Sequence, residues 1–256
     1  MGDERLFRTT GIILRRRDFD EADRLLTVLT RERGKLTLLA KGARKIASRK
    51  AAHVDLFKQV ELQVHQGRNF GIVSQAETVC SFTAIRDDLE RLAAAHYMAE
   101  LADAFVHEGD DAAGVYDLML EILHWLDAGG DPRLAQRYFE LHLCDLAGFR
   151  PQLYRCLRCD VWLEPAANVF DAAAGGMFCP RCAVTAAQGR PVTVGAQKVL
   201  RFLQRSDAGD CQRLVLKEPL HNEMEALLAA YLRQILDRSP KSRRFIEAVR
   251  ALPAET

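Results

Sequence analysis

Four cysteines carry the clearest chemistry in this chain. Cys156 and Cys159 form one C-x-x-C pair, Cys179 and Cys182 form a second, and nineteen residues lie between the pairs. Two thiolates three apart on a tight turn converge on one cation, and two such knuckles complete a tetrahedron around it. Arg155, Arg158 and Arg181 flank the cysteines, and positive neighbours favour thiolate over thiol. Four thiolates leave no open position for water, so the pattern predicts one structural zinc ion and not a catalytic one. A zinc deaminase would need H-x-E ahead of P-C-x-x-C. Here the H-x-E at His221 to Glu223 lies downstream of both pairs, and neither pair is preceded by Pro. An iron–sulfur cluster or a redox disulfide is the competing use of such a set. Cys80, Cys144 and Cys211 stand alone and read as small buried side chains.

The second constellation is cationic. Between Glu32 and Asp55 there is no carboxylate, yet seven positive side chains occur: Arg33, Lys35, Lys41, Arg44, Lys45, Arg49 and Lys50. Gly, Ala and Ser separate the charges of 41–50, which suits an exposed loop. Arg15, Arg16 and Arg17 are placed at the end of a short apolar run, residues 11–14. On a small barrel such a group tracks a phosphate backbone without reading sequence. Phe19, Phe57 and Phe70 are candidate stacking rings, with burial in the core as the competing role. A solvated loop carrying ordinary surface charge is the bland alternative for the whole stretch.

Other chemistry lacks its signatures. No phosphate-binding glycine loop, dinucleotide fingerprint, H-E-x-x-H or nucleophile elbow occurs, and His96, His107, His124 and His142 are scattered on helical stretches. The reading is of a non-enzyme.

The elements that must position these groups follow from periodicity. Residues 11–14, 25–30, 35–40, 60–65 and 70–80 read as five short strands, with a hairpin connection at 31–34 and a turn at 66–69. Five strands in about 80 residues fit an OB-fold barrel. From residue 83 the period becomes helical. Leu89, Leu92, Tyr97, Leu101 and Phe105 give one stripe, and Val115, Leu118, Met119, Ile122 and Leu126 a second. Asp131 then offers an N-cap with Pro132 at the first helical position, and Leu134, Tyr138 and Leu141 carry that third helix to Gly148. Phe170, Gly175 and Gly176 suit a ribbon with a sharp reversal inside the cysteine segment. Helices are expected over 195–203, 223–236 (Leu227, Leu228, Tyr231 and Leu232 inward) and 242–252. The expected class is α+β. Its domains are an OB-fold at 1–80, a helical domain at 81–149, a four-cysteine zinc module at 150–190, and the rest of the helical domain at 191–256.

Charge is unevenly spread over the 256 residues. The net is +1, but residues 1–80 carry +6 and residues 81–130 carry −9. A positive module followed by a negative one predicts different partners for the two. No apolar run is long enough to span a bilayer, and the start has no apolar signal region. A cytoplasmic protein, without membrane contact, is expected.

Three motifs in the first 45 residues, LRRRDFDEADRLL at 14–26, TRERGK at 30–35 and AKGARK at 40–45, resemble the amino-terminal domain of the RecO recombination mediators. LCDLAGFRPQLYRC at 143–156 resembles that family's lead-in to its cysteine module, and the likeness spans essentially the whole chain. The resemblance implies an OB-fold, a helical domain and a zinc-binding insertion. It also implies nucleoid-associated work in recombinational repair. Such a protein binds single- and double-stranded DNA, anneals complementary strands, and with RecR helps RecA replace SSB. Lys35, Lys41, Arg44 and Lys45 match the family's basic stretch. A receptor for the acidic SSB C-terminal tail needs a basic rim, which residues 81–130 do not offer. Arg133 and Arg137, or Arg238, Lys241, Arg243 and Arg244, would have to supply it. The alternative function is a zinc-containing adaptor, for instance in transcription, that binds proteins and not DNA. A metallo-enzyme acting on nucleic acid is a third class, which the four cysteines oppose.

Overall fold

The computed structural model describes residues 6–252. The chain divides into two compact units: one runs to Gly129 and takes up the chain again from Arg244, and the other is Gly130–Arg243.

Five strands open the first unit: β1 (Leu6–Phe19), β2 (Asp23–Thr30), β3 (Gly34–Ala40), β4 (Gln59–His65) and β5 (Gly71–Cys80). They close a barrel in the order β1-β2-β3-β5-β4, with β4 returning to β1. Every pairing is antiparallel except β3 with β5. This is the five-stranded OB topology. Alternation along the strands sends Ile13, Leu26, Val28, Leu38, Val60, Leu62, Val64 and Val73 into the barrel, all within 1% of complete burial. The parallel closure needs a residue without a side chain. A Cβ on Gly71 would come within 2.7 Å of Val64 and 2.8 Å of Leu38.

The first strand is longer than its apolar run. It continues through Arg15, Arg16 and Arg17 to Phe19, because β2 goes on pairing with it after a bulge at Leu14. The basic stretch between β3 and β4 is also better anchored than its composition implies. Ala43 and Val54 are fully buried in the barrel core. The Gly42 N–H donates to Asp23 Oδ1 at 2.7 Å and the Arg44 N–H to the Ala22 carbonyl at 2.9 Å.

Helices α1 (Leu89–Phe105) and α2 (Ala113–Asp127) follow, and α7 (Ser242–Arg250) lies largely in this unit. The Asp88 carboxylate caps α1 by accepting from the N–H groups of Glu90 and Arg91. The stripe expected on α1 is wrong at Leu89, which is exposed. The buried surface comes instead from Ala93, Ala94, Ala95, Ala99 and Ala102 with Tyr97, Met98 and Leu101. Alanines let a helix be enclosed on several sides, so no narrow apolar stripe marks its core face. The stripe on α2 is buried as its spacing predicts.

The second unit begins with α3 (Pro132–Leu146), capped by Asp131 with Pro in the first turn as the sequence indicates. The cysteine segment holds a three-stranded sheet of β6 (Asn168–Asp171), β7 (Gly176–Phe178) and β8 (Arg190–Val192), ordered β7-β6-β8. Gly175, at φ +77°, makes the reversal between β6 and β7. Helices α4 (Val194–Arg205), α5 (Ala208–Cys211) and α6 (Glu218–Leu236) complete the unit. Single-turn α5 is too short to leave a period. Helix α6 starts at Glu218, five residues before the expected 223, since Pro219 fits a first turn. Cys144 and Cys211 are buried as read; Cys80 is only partly so. Among the described residues no helix is long and apolar enough to cross a membrane.

Candidate nucleic-acid face and metal centre

Register decides where the arginines of β1 point. Arg15 and Arg17 lie opposite Thr27 and Leu25 of β2, which lie opposite Thr37 and Leu39 of β3. Directly opposed residues share a face, and this one is the outside of the β1-β2-β3 sheet. Arg16 lies opposite Leu26 and turns the other way, where it meets Asp55 at 2.5 Å beside Arg86. The outer strands 2 and 3, with the loops after strands 1 and 4, form the usual oligonucleotide face of an OB-fold.

The ten cations named from the sequence fall into two groups. Half are engaged within the unit. Lys35 shares the outer face, but its ammonium donates to Asp103 Oδ1 at 3.0 Å and to the Asp103 carbonyl at 2.7 Å. Arg16 is held by Asp55, as above. Arg44 faces Asp18 at 3.4 Å and lies within reach of the Asp20 and Glu21 carbonyls. The Lys50 ammonium donates to the Val73 carbonyl at 3.0 Å, and burial pulls its pKa down despite nearby Asp23. Arg33 lies 4.0 Å over the Phe7 ring. The other five, Arg15, Arg17, Lys41, Lys45 and Arg49, are exposed, and no hydrogen bond or ion pair to another described residue holds their side chains; Arg49 lines a groove of about 520 Å³ with Glu61 of β4 and Glu77 of β5.

The aromatics also separate. Phe57 is 3% exposed and stands edge-on to His96 with ring centroids 4.8 Å apart, so it belongs to the core. Phe19 and Phe70 are half-buried and meet edge-to-face at 6.2 Å, joining the loop after β1 to the loop after β4. Phe70, Arg33 and Arg68 line a groove of about 640 Å³ on this side, with Glu108 as its carboxylate. Sequence reading gives Arg68 no role, because its place beside Arg33 appears only once β5 closes on β3.

In the second unit the four Sγ atoms of Cys156, Cys159, Cys179 and Cys182 lie within 4.8 Å of one another. Cys159 Sγ and Cys179 Sγ are 3.9 Å apart, near the edge of a tetrahedron built on metal–sulfur bonds of about 2.3 Å. The knuckles are made by local turns. The Asp160 N–H donates to the Cys156 carbonyl at 2.9 Å, and the Cys182 N–H to the Cys179 carbonyl at 2.9 Å. Burial opposes ionisation of Cys156, but N–H groups of Cys159, Cys179 and Arg158 outweigh it and bring the thiol to about 6. Burial and the neighbouring sulfurs push Cys182 up to about 12. Four sulfurs so close cannot all be thiolates unless a cation offsets their repulsion. The donor set therefore suits a metal ion and could hold one.

Fold and sites together define an OB-barrel protein that carries a helical unit with a cluster of four cysteines able to hold a metal ion. The family model "Recombination protein O N terminal" matches residues 4–82, and "Recombination protein O C terminal" matches 86–244. The chain is 42% identical to a DNA repair protein RecO of Roseiflexus sp. over 97% of its own length and 88% of the relative's. It is 34% identical to the RecO proteins of Dehalococcoides mccartyi and Symbiobacterium thermophilum, with at least 95% of each chain covered. The chain belongs to the RecO family of DNA repair proteins.

Proposed function

We propose that this protein is a non-enzymatic mediator of recombinational repair that binds single- and double-stranded DNA through the outer face of its barrel. The carrying observation is the set of exposed cations whose side chains pair with no other described residue: Arg15 and Arg17 on the sheet, and Lys41, Lys45 and Arg49 on the anchored loop. Phosphates would neutralise them without contact to base edges, so sequence preference is weak and salt sensitivity strong. Lowering repulsion between two strands lets complementary sequences pair without nucleotide hydrolysis. Family membership supports the further roles, in which the protein works with RecR to load RecA onto SSB-coated strands. Zinc is the metal proposed for the cysteine centre, since a closed four-thiolate tetrahedron is its usual structural site. Its binding free energy would be part of the folding free energy of that module.

The direct test is fluorescence anisotropy with a labelled single-stranded oligonucleotide, together with an annealing assay on complementary strands. Binding and faster annealing at about 50 mM salt, both sharply weakened on charge reversal of Lys41 and Lys45 together, are expected. A protein that captures other proteins but shows no DNA affinity at that salt is an adaptor, and the proposal fails.

A further inference from the structure

The chain has two tryptophans. Trp125 is enclosed at 1% exposure, whereas Trp162, just after the first cysteine pair, is 55% exposed. Leaving so large an apolar ring in water forgoes burial free energy that a folded unit normally gains. Trp162 is nevertheless built into rigid structure. It bridges Arg155 across a short ribbon, where the Leu163 N–H donates to the Tyr154 carbonyl at 2.8 Å. Arg201 locks both sides of that ribbon, donating to the Leu153 carbonyl at 2.7 and 2.8 Å and to the Leu163 carbonyl at 2.7 Å.

The same guanidinium lies 5.0 Å over the Tyr154 ring, and that ring is 5.6 Å from the indole, tilted by 41°. Cation, phenol and indole thus form a ladder whose last rung faces solvent. The charge beside it is positive. Arg158, within the first cysteine pair, is exposed and no hydrogen bond or ion pair to a described residue holds its side chain. Arg205 is exposed near the Tyr154 hydroxyl. Of the nearby carboxylates, Asp160 is taken by Arg155 at 2.8 Å.

We propose that Trp162 is a stacking platform for an unpaired nucleic-acid base, with Arg158 and Arg205 receiving the flanking phosphates. The inference rests on the DNA-binding reading above and adds a contact in the cysteine-bearing unit. A preorganised indole flanked by arginines matches the chemistry of single-strand binding, in which every base offers a π-face and the cations follow the backbone. A protein hot spot would instead sit inside a broad apolar patch with charges kept to its rim. Leu157 and Val161, the apolar neighbours of Trp162 in sequence, are 40% and 41% exposed, and charged Arg158 and Asp160 stand between them.

The test uses full-length, metal-loaded protein titrated with a single-stranded oligothymidine while tryptophan emission and anisotropy are read together. Trp125 is enclosed, so quenching reports on Trp162. Quenching should saturate in step with anisotropy, and a duplex of equal length should quench less because its bases are already stacked. Trp162→Ala should weaken single-strand binding by at least about fivefold, and Trp162→Phe by less than about threefold. Zinc content checks the integrity of both variants. Oligonucleotide bound with unchanged emission, or bound by metal-loaded Trp162→Ala at wild-type affinity, overturns the platform and leaves the barrel face standing. No binding at all at low salt sinks both.

Discussion

Replacing Lys41 and Lys45 by Gln, set beside Lys35→Gln, separates cations that are available to DNA from cations already used by the fold. Each phosphate contact to a single strand contributes about 0.7 to the slope of log K against log salt. If the five exposed cations that pair with no other described residue, Arg15, Arg17, Lys41, Lys45 and Arg49, each meet one phosphate, the barrel contributes a slope of about −3.5. Affinity then falls about 100-fold between about 50 and 200 mM salt. Removing Lys41 and Lys45 should reduce the slope to about −2.1 and that loss to about 20-fold, on any sequence. Lys35 behaves differently because its ammonium is already bound to Asp103. Its side chain is 16% exposed. Lys35→Gln should leave the slope unchanged while lowering stability by about 1 kcal/mol. Anisotropy across a salt series, with thermal melts of each variant, reads both quantities. A slope change for Lys35→Gln as large as that for one loop lysine would refute the partition, as would a double variant with the wild-type slope.

Elemental analysis of protein purified without chelator should find one zinc per chain; Cys159→Ser or Cys179→Ser should lose it and destabilise the second unit, and a stable, metal-free wild type would overturn this. Thiol titration of the metal-loaded protein should show one accessible group, Cys80, and chelation should release four more. Cys144, whose thiol burial pushes up to about 12, should react only on unfolding. Burial raises the Asp131 pKa, but hydrogen bonds from His221, Leu134 N–H and Arg133 N–H outweigh it and hold the carboxyl below its ordinary 3.8. A depressed carboxyl stabilises the fold above its unfolded pKa and loses that contribution as pH falls through the folded one. Asp131→Ala should therefore cost about 1 kcal/mol near neutral pH. In melts, the difference from wild type should narrow as pH falls from about 5 to about 3.

Local signals made much of this protein legible in its sequence. Ligand spacing placed the cysteine centre, because two C-x-x-C turns need only a reversal between them to meet. Period-two alternation gave the barrel strands, and Asp131 with Pro132 marked the start of α3 through chemistry confined to one turn. Tertiary structure decided what charge and ring position mean. The carboxylate-free stretch looked uncompensated along the chain, yet its partners arrive from elsewhere: Asp103 from α1 for Lys35, and Asp18 from β1 for Arg44. Three consecutive arginines divide because adjacent strand residues face opposite sides, and a bulge at Leu14 sets which side each takes. Phe57 went to the core and Trp162 to the surface for reasons that no window of neighbours contains. Burial depends on which distant elements close over a side chain, and the coulombic partner of a charge is set by distance through space, not by separation along the chain.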